Sequence, residues 1–287
     1  MLPMQKSYDV VWGATFLCAF LVVLIWLPLI SHSQGALTVS FLDVGQGDSI
    51  FIESPSGRQV LIDGGRSDRA VLRELGEVMP WNDRTIDLII PTHPDADHIG
   101  GLLDVLERYE VGFVLQSSVE GDTDMWRALE EAIVREGSTS IIAMRGQTID
   151  IGGGAYLEIL FPDRDVSHIE TNTGSVVARL VYGSTSFYLN GDSPTAIEKY
   201  LLSFGGVALK STVLKAGHHG SRTSSDPAFV EVVAPEYGIF SRGCDNTYGH
   251  PHKEVVDLFA RLRIKTFDTC KDGRITFLSD GTSIERR

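Results

Sequence analysis

From residue 37 onward the sequence predicts an α/β domain, with strands gathered in central sheets and helices outside them. Two patterns carry this expectation. Short apolar, β-branched runs alternate with longer amphipathic stretches, and no Pro/Ser-rich linker or internal repeat divides them. Several strand-like runs are followed at once by His, Asp or Asn, the placement in which layered α/β proteins collect their active sites. A third observation lies ahead of the domain, where residues 10–30 carry no charged side chain.

Strands are expected over residues 37–43 and 49–53, joined by the glycine-punctuated turn Val44-Gly45-Gln46-Gly47-Asp48, where the backbone can approach a neighbour closely. Further strands are expected at 86–90, 139–144, 156–161, 176–182, 186–189, 212–215, 237–241, 264–268 and 275–278. Helices are expected over 67–79, from Ile99 onward, and over 123–136, 194–204, 227–233 and 251–262. Strands of this length suit two central sheets, and the helices suit outer layers. Gly152-Gly153-Gly154 lies between strand-like runs and reads as a turn. Of 287 residues, removing residues 1–36 leaves about 250, within the reach of one large domain.

The chemistry is concentrated in His93-Pro94-Asp95-Ala96-Asp97-His98, delivered by the apolar strand at 86–90 to a loop before the next helix. Carboxylates and imidazoles crowded together without Lys or Arg repel one another unless a cation sits among them. Downstream, Asn190-Gly191-Asp192 and Ala216-Gly217-His218-His219-Gly220-Ser221 also follow strand-like runs. No Ser-His-Asp order and no phosphate-cradling glycine loop competes with a metal reading.

These segments, with Phe41-Leu42-Asp43-Val44-Gly45-Gln46-Gly47-Asp48-Ser49, Leu61-Ile62-Asp63-Gly64-Gly65 and Asn246-Thr247-Tyr248-Gly249-His250-Pro251, resemble the metallo-β-lactamase-fold hydrolases. The resemblance is to the ComEC branch in particular, the hydrolase domain of a DNA-uptake protein and its free-standing relatives. It covers residue 37 to the C-terminus and implies a four-layer αββα sandwich over residues 37–287 holding two divalent ions, zinc or manganese. By the superfamily pattern His93 and Asp95 would serve the first metal, Asp97 and His98 the second, and Asp192 would bridge them. His218 is expected to complete the set, with His219 outer-shell or substrate-facing; the reverse assignment stays open. The chain departs from the pattern at Asp95, where the broad superfamily has His. It also has Asn172-x-x-Ser175 where a third-motif His is usual, with His168 expected at the surface. Three Asp and three His make an oxygen-rich set that leans toward manganese without excluding zinc.

The resemblance makes Asp97, His219, His250 and Asn246 the catalytic candidates, with Gln46, Asp48, Asp63, Asn172, Ser221 and Tyr248 around substrate or behind the metals. Asp63 is expected to orient the metal loop by hydrogen bonds. Asn246, Tyr248 and His250 precede a helix whose first turn favours an anion, so His250 can hold a phosphate or protonate a leaving group. The reaction implied is hydrolysis of a phosphodiester, most readily single-stranded DNA handled outside the cytoplasmic membrane during uptake. Hydrolysis of a smaller phosphodiester, phosphocholine or lactone is a second reading, and a non-catalytic metal- or DNA-binding module of an uptake channel a third. Either transport reading calls for a separate channel protein.

Residues 10–30 form a run of 21, close to the roughly 20 that cross a bilayer core. Trp12 and Trp26 lie near its ends, Lys6 precedes it, and no Lys or Arg follows before Arg58. A retained single-pass anchor with the domain outside the cytoplasm is expected, and a cleaved signal peptide with a secreted product is the alternative. Cys244 and Cys270 follow two strands of a β-α-β unit, so a disulfide or two unpaired thiols are both compatible with the sequence. The net charge of −13, from 38 acidic and 25 basic residues, argues against a long basic nucleic-acid surface. A local track of Arg66, Arg69, Arg73, Arg179, Lys210, Lys215 and Arg222 would offset it.

Overall fold

A computed structural model describes residues 35–66, 69–205 and 209–287. The expected membrane span at residues 10–30 lies outside these described residues. Among them no helix is long and apolar enough to cross a membrane.

One sheet holds β1 (Leu37–Phe41), β2 (Ile50–Glu53), β3 (Gln59–Ile62), β4 (Thr85–Ile90), β5 (Glu110–Gln116) and β6 (Thr139–Ile142), with β14 (Ile275–Ser279) and β15 (Ile284–Arg286) beyond β1. The other holds β7 (Thr148–Gly152), β8 (Ala155–Phe161), β9 (Val177–Tyr182), β10 (Thr185–Leu189), β11 (Val213–Lys215), β12 (Tyr237–Phe240) and β13 (Lys265–Asp268). The first three strands form an antiparallel meander, and β3 to β6 run parallel. In the second sheet β7 to β10 are antiparallel and β10 to β13 parallel. Each sheet thus presents parallel strands, whose C-terminal ends hold the loops that build the site.

Period-two alternation sends Leu37, Val39 and Phe41 into the seam between the sheets, where they meet Leu157, Ile159, Leu180, Phe187 and Phe277. The opposite face of the first sheet packs against α1 (Ala70–Val78), α2 (Ala96–Arg108) and α3 (Asp124–Glu136) through Phe51, Leu61, Ile89, Leu75, Leu102 and Leu129. The second sheet is covered by α4 (Thr195–Leu202), α5 (Pro227–Val233) and α6 (Lys253–Arg261) through Tyr188, Leu214, Leu201, Phe229 and Phe259. Three apolar seams separate four layers, the expected αββα arrangement.

Two local differences from the sequence reading matter. α2 begins at Ala96, not Ile99, because the Asp95 carbonyl accepts the His98 and Ile99 N–H groups. Asp97 and His98 therefore stand on the first helical turn, a stiffer mount than a loop and one where the helix dipole favours a carboxylate. β5 was not anticipated: Glu110 and Gly112 break up its apolar run, and its register with β4 forms only through pairing.

β12 and β13 are parallel neighbours, and a Cys244–Cys270 disulfide closes the β-α-β unit. Beside it Arg242 donates to Asp268 from Nε at 3.0 Å and Nη2 at 2.7 Å. The bridge spans a sequence separation of 26, so replacing both cysteines by serine should lower the unfolding free energy by about 3 kcal/mol. Reductant should shift the thermal midpoint of the wild type down similarly and leave the double variant unmoved; equal midpoints with and without reductant would show that the bridge contributes nothing.

Candidate metal centre

Loops from both sheets converge at one end of the sandwich. The β1–β2 turn packs on α2, where a Cβ on Gly47 would fall 1.9 Å from the Asp97 carbonyl oxygen. Only glycine at φ +122° permits that approach, and Asp48 N–H then donates to the same oxygen at 3.2 Å. β3 ends on Asp63, β4 on Thr92 to His98, β10 on Asn190 to Asp192, and β11 on Lys215 to His219. His218 and His219 both lie in the left-handed region, at φ +48° and +55°, an expense of roughly 1 kcal/mol or more each that recurs at functional sites. The turn brings both imidazoles toward Asp192.

Three buried imidazoles, those of His93, His98 and His219, are fastened through Nδ1. His98 Nδ1 lies 2.7 Å from Asp63 Oδ2, His93 Nδ1 lies 3.0 Å from Thr92 Oγ1, and His219 Nδ1 lies 2.9 Å from the Ser241 carbonyl. Asp63 also accepts from Thr92 N–H at 2.8 Å and Thr92 Oγ1 at 2.7 Å, which locks the β4 loop. The Nε2 atoms of His93, His98 and His219 are all buried and have no hydrogen-bond partner among the described residues. They face carboxylates instead. His98 Nε2 and His219 Nε2 each lie 3.3 Å from Asp192 Oδ2, and His219 Nε2 lies 3.5 Å from Asp97 Oδ2. Ligands about 2.1 Å from a tetrahedral cation stand about 3.4 Å apart, so these gaps match donors around a metal ion. His93 Nε2 and Asp95 Oδ2, 3.7 Å apart, form an adjoining pair. The residues fit a metal centre, with Asp97, His98, Asp192 and His219 around one position and His93 and Asp95 beside it.

A metallo-beta-lactamase superfamily profile matches residues 42–243. The chain belongs to that superfamily. It is 30% identical over 284 residues to "ComE operon protein 3" of Bacillus subtilis (strain 168), covering 91% of this chain and 35% of that protein. It is likewise 30% identical over 249 residues to "Competence protein ComA" of Neisseria gonorrhoeae, covering 86% of this chain and 33% of that protein. The chain therefore spans about a third of the length of these curated relatives. Among solved structures, CmlA, a diiron β-hydroxylase from Streptomyces venezuelae, superposes with a TM-score of 0.53 at 16% identity, over 84% of this chain and 53% of that one. At that identity the likeness concerns the fold.

Within this superfamily frame the structure distributes the expected site residues unevenly. His219 is fully buried among the carboxylates, whereas His218 is partly open, with Nδ1 3.1 Å from Thr223 Oγ1 and Nε2 3.7 Å from Asp192 Oδ2. The geometry thus favours the reverse of the expected order, with His219 the inner imidazole. Asp48 is not merely part of a turn: it is buried, touches the Lys215 ammonium and lies 3.3 Å from His219 Nδ1. Gln46 bridges the centre and the β12 loop, donating to Asp97 Oδ2 at 3.4 Å and accepting from Gly243 N–H at 3.3 Å.

Asn246, expected among the catalytic groups, uses its amide on backbone. It donates to the carbonyls of Gly243 and His250 and accepts the His250 N–H, which braces that loop. His250 comes within 5.5 Å of His218 and 6.2 Å of His219, ring to ring, with Nδ1 buried and unpartnered among the described residues. Tyr248 lies nearly parallel to it at 5.6 Å and is 56% exposed. Ser221 faces inward, accepting from Thr223 Oγ1 at 3.0 Å. Asn172 stands on a short 3-10 turn with a buried Oδ1 that has no hydrogen-bond partner among the described residues. His168 is exposed, as expected.

Burial opposes charge on His98 and His219, yet Asp192 with Asp63, and Asp192 with Asp48, raise them well above the usual histidine range. Without metal, protons bind where a cation belongs. His250 responds oppositely: burial, then His219 and His218, depress it to about 4, so it is neutral at pH 7. Two residues not singled out as site members complete the frame. Lys215, expected in the local basic track, is instead fully buried in the centre. Glu198 on α4 is also fully buried and accepts from Asn190 Nδ2 at 3.0 Å, Ser225 N–H at 2.8 Å and Asp226 N–H at 2.7 Å. It ties the Asp192 turn to the segment after His219. No sequence signal marked it, because a Glu on an amphipathic helix reads as solvated.

Because protons occupy His98 and His219 in the metal-free protein, Mn²⁺ or Zn²⁺ binding should release protons and tighten as pH rises. Calorimetry in two buffers of different ionisation enthalpy measures this directly. In the same titrations His219→Ala should weaken metal binding by about tenfold or more, with a smaller loss for His218→Ala. A larger loss for His218→Ala would restore the original order.

Proposed function

We propose that this chain is a metal-dependent phosphodiesterase that cleaves DNA outside the cytoplasmic membrane, within a competence system. The observation that carries the hydrolase reading is the convergence of three buried, unpartnered imidazole nitrogens on Asp97, Asp95 and Asp192. Divalent ions held there would supply Lewis acidity to a phosphoryl group and lower the pKa of water. The chain's own residues do the rest. Asp63, Thr92 and the Ser241 carbonyl keep each Nε2 free, and Gln46 orients Asp97. Neutral His250 is suited to hydrogen-bonding a phosphate oxygen rather than to protonating a leaving group.

Support for DNA as the substrate comes from the two competence relatives and from Tyr248, an exposed ring at the rim on which an unpaired base can stack. The acidic balance favours the second reading, a small phosphodiester, phosphocholine or lactone, and the expected basic track is thinned. Lys215 is buried, and Arg179 is engaged with Glu158 at 3.0 Å and with the Lys210 carbonyl at 3.1 Å. A short, metal-dominated contact with single-stranded DNA reconciles charge and reaction. The apolar run at residues 10–30 supports a membrane-anchored, outward-facing enzyme, which external protease applied to intact cells would digest.

Full-length chain with Mn²⁺ or Zn²⁺ should cleave single-stranded DNA and bis-p-nitrophenyl phosphate. Asp97→Ala and Asp192→Ala should each reduce the rate by at least about a hundredfold. Diester hydrolysis without DNA cleavage would favour the small-substrate reading, and inactivity on both with metal bound would favour a binding module.

A further inference from the structure

Lys215 ends β11 with its side chain 0% exposed, a rare position for a lysine. Its ammonium has three donors and meets three acceptors: the Gly191 carbonyl at 2.9 Å, Asp192 Oδ1 at 3.5 Å and the carboxylate of Asp48. The same geometry divides Asp192. Oδ1 faces Lys215, while Oδ2 faces the Nε2 atoms of His98 and His219. Asp48 has donor atoms within the same 4.8 Å cluster as His98, Asp192 and His219, which on proximity alone would make it a fourth ligand. A metal ion on Asp48, however, would sit against the lysine's positive charge with little solvent to screen it. Among the described residues close around the centre, Asp48, Asp63, Asp95, Asp97 and Asp192 supply negative charge, and Lys215 is the one permanent cation touching them.

We propose that Lys215 is a built-in cation of the centre, which neutralises Asp48, keeps it out of the metal shell and leaves Asp192 to face the metal through one oxygen. Asp48 then acts through others: it balances the lysine and lies beside His219 Nδ1, so it is a positioning residue, not a ligand. This inference rests on the metal reading for its second half only, since the charge balance exists in the metal-free protein as well.

The test uses the full-length chain as wild type, Lys215→Met, Asp48→Asn and the double variant, each melted in chelator and titrated with Mn²⁺ against a competing chelator. In chelator, Lys215→Met strands Asp48 and one oxygen of Asp192, and its midpoint should fall by roughly 10 °C. The double variant removes both charges and should recover most of that loss. Asp48→Asn concentrates the lysine's charge on Asp192 and should weaken Mn²⁺ binding by about tenfold, while the double variant returns to near wild-type affinity. If the double variant binds Mn²⁺ no better than Asp48→Asn, Asp48 is a ligand and the proposal fails. If Lys215→Met melts like wild type in chelator, or does not fold and the double variant is no better, the pair has no balancing role. Wild type that neither binds nor is stabilised by Mn²⁺ or Zn²⁺ would instead sink the metal reading and leave the melts in chelator to judge the pair.

Discussion

Carboxylates collected at one end of a sandwich need cations, and much of this protein's architecture follows from that requirement. Asp95, Asp97 and Asp192 crowd a space also occupied by buried imidazoles. Asp192 and Asp48 are buried away from water while Asp95 and Asp97 are only partly open to it, so the charge is balanced internally by Lys215, by protons on His98 and His219, or by bound metal. Exchange of protons for metal at these nitrogens would link occupancy to pH.

The scaffold is organised to hold those nitrogens open. Parallel strands in both sheets end at the same rim, so six chain segments distant in sequence contribute to one centre. The outer contacts are hydrogen bonds to Nδ1, and each fixes which ring nitrogen remains available. Behind them, Glu198 fastens two loops and the Cys244–Cys270 bridge anchors a third. Such rigidity suits a metal centre, whose donor atoms must keep a constant spacing. The rim differs in character: Tyr248 is exposed and His218 partly open.

How much of this was legible in the sequence depended on the range of the interaction. Apolar alternation placed most strands within a residue or two, since that pattern is local and strongly selected by the seam it fills. Strand β5 escaped because Glu110 and Gly112 interrupt its pattern and pairing with β4 compensates. The His-Pro-Asp-Ala-Asp-His run was readable because several ligands sit in one short stretch. Its mount was not: whether a helix starts at Ala96 or Ile99 turns on a backbone carbonyl that sequence does not display.

The sequence by itself determined the α/β layering, the superfamily and the cluster of candidate ligands, because these reside in periodicity and in short spacings. Tertiary structure alone decided which of His218 and His219 turns inward, since both adjoin the same strand and consecutive left-handed residues set their directions. It also decided that Asn246 braces backbone while Asp48 and Lys215 meet across a separation of 167 positions. A lysine's charge is worth little in water and much when buried against two carboxylates, and only the packed fold determines which of those environments it occupies.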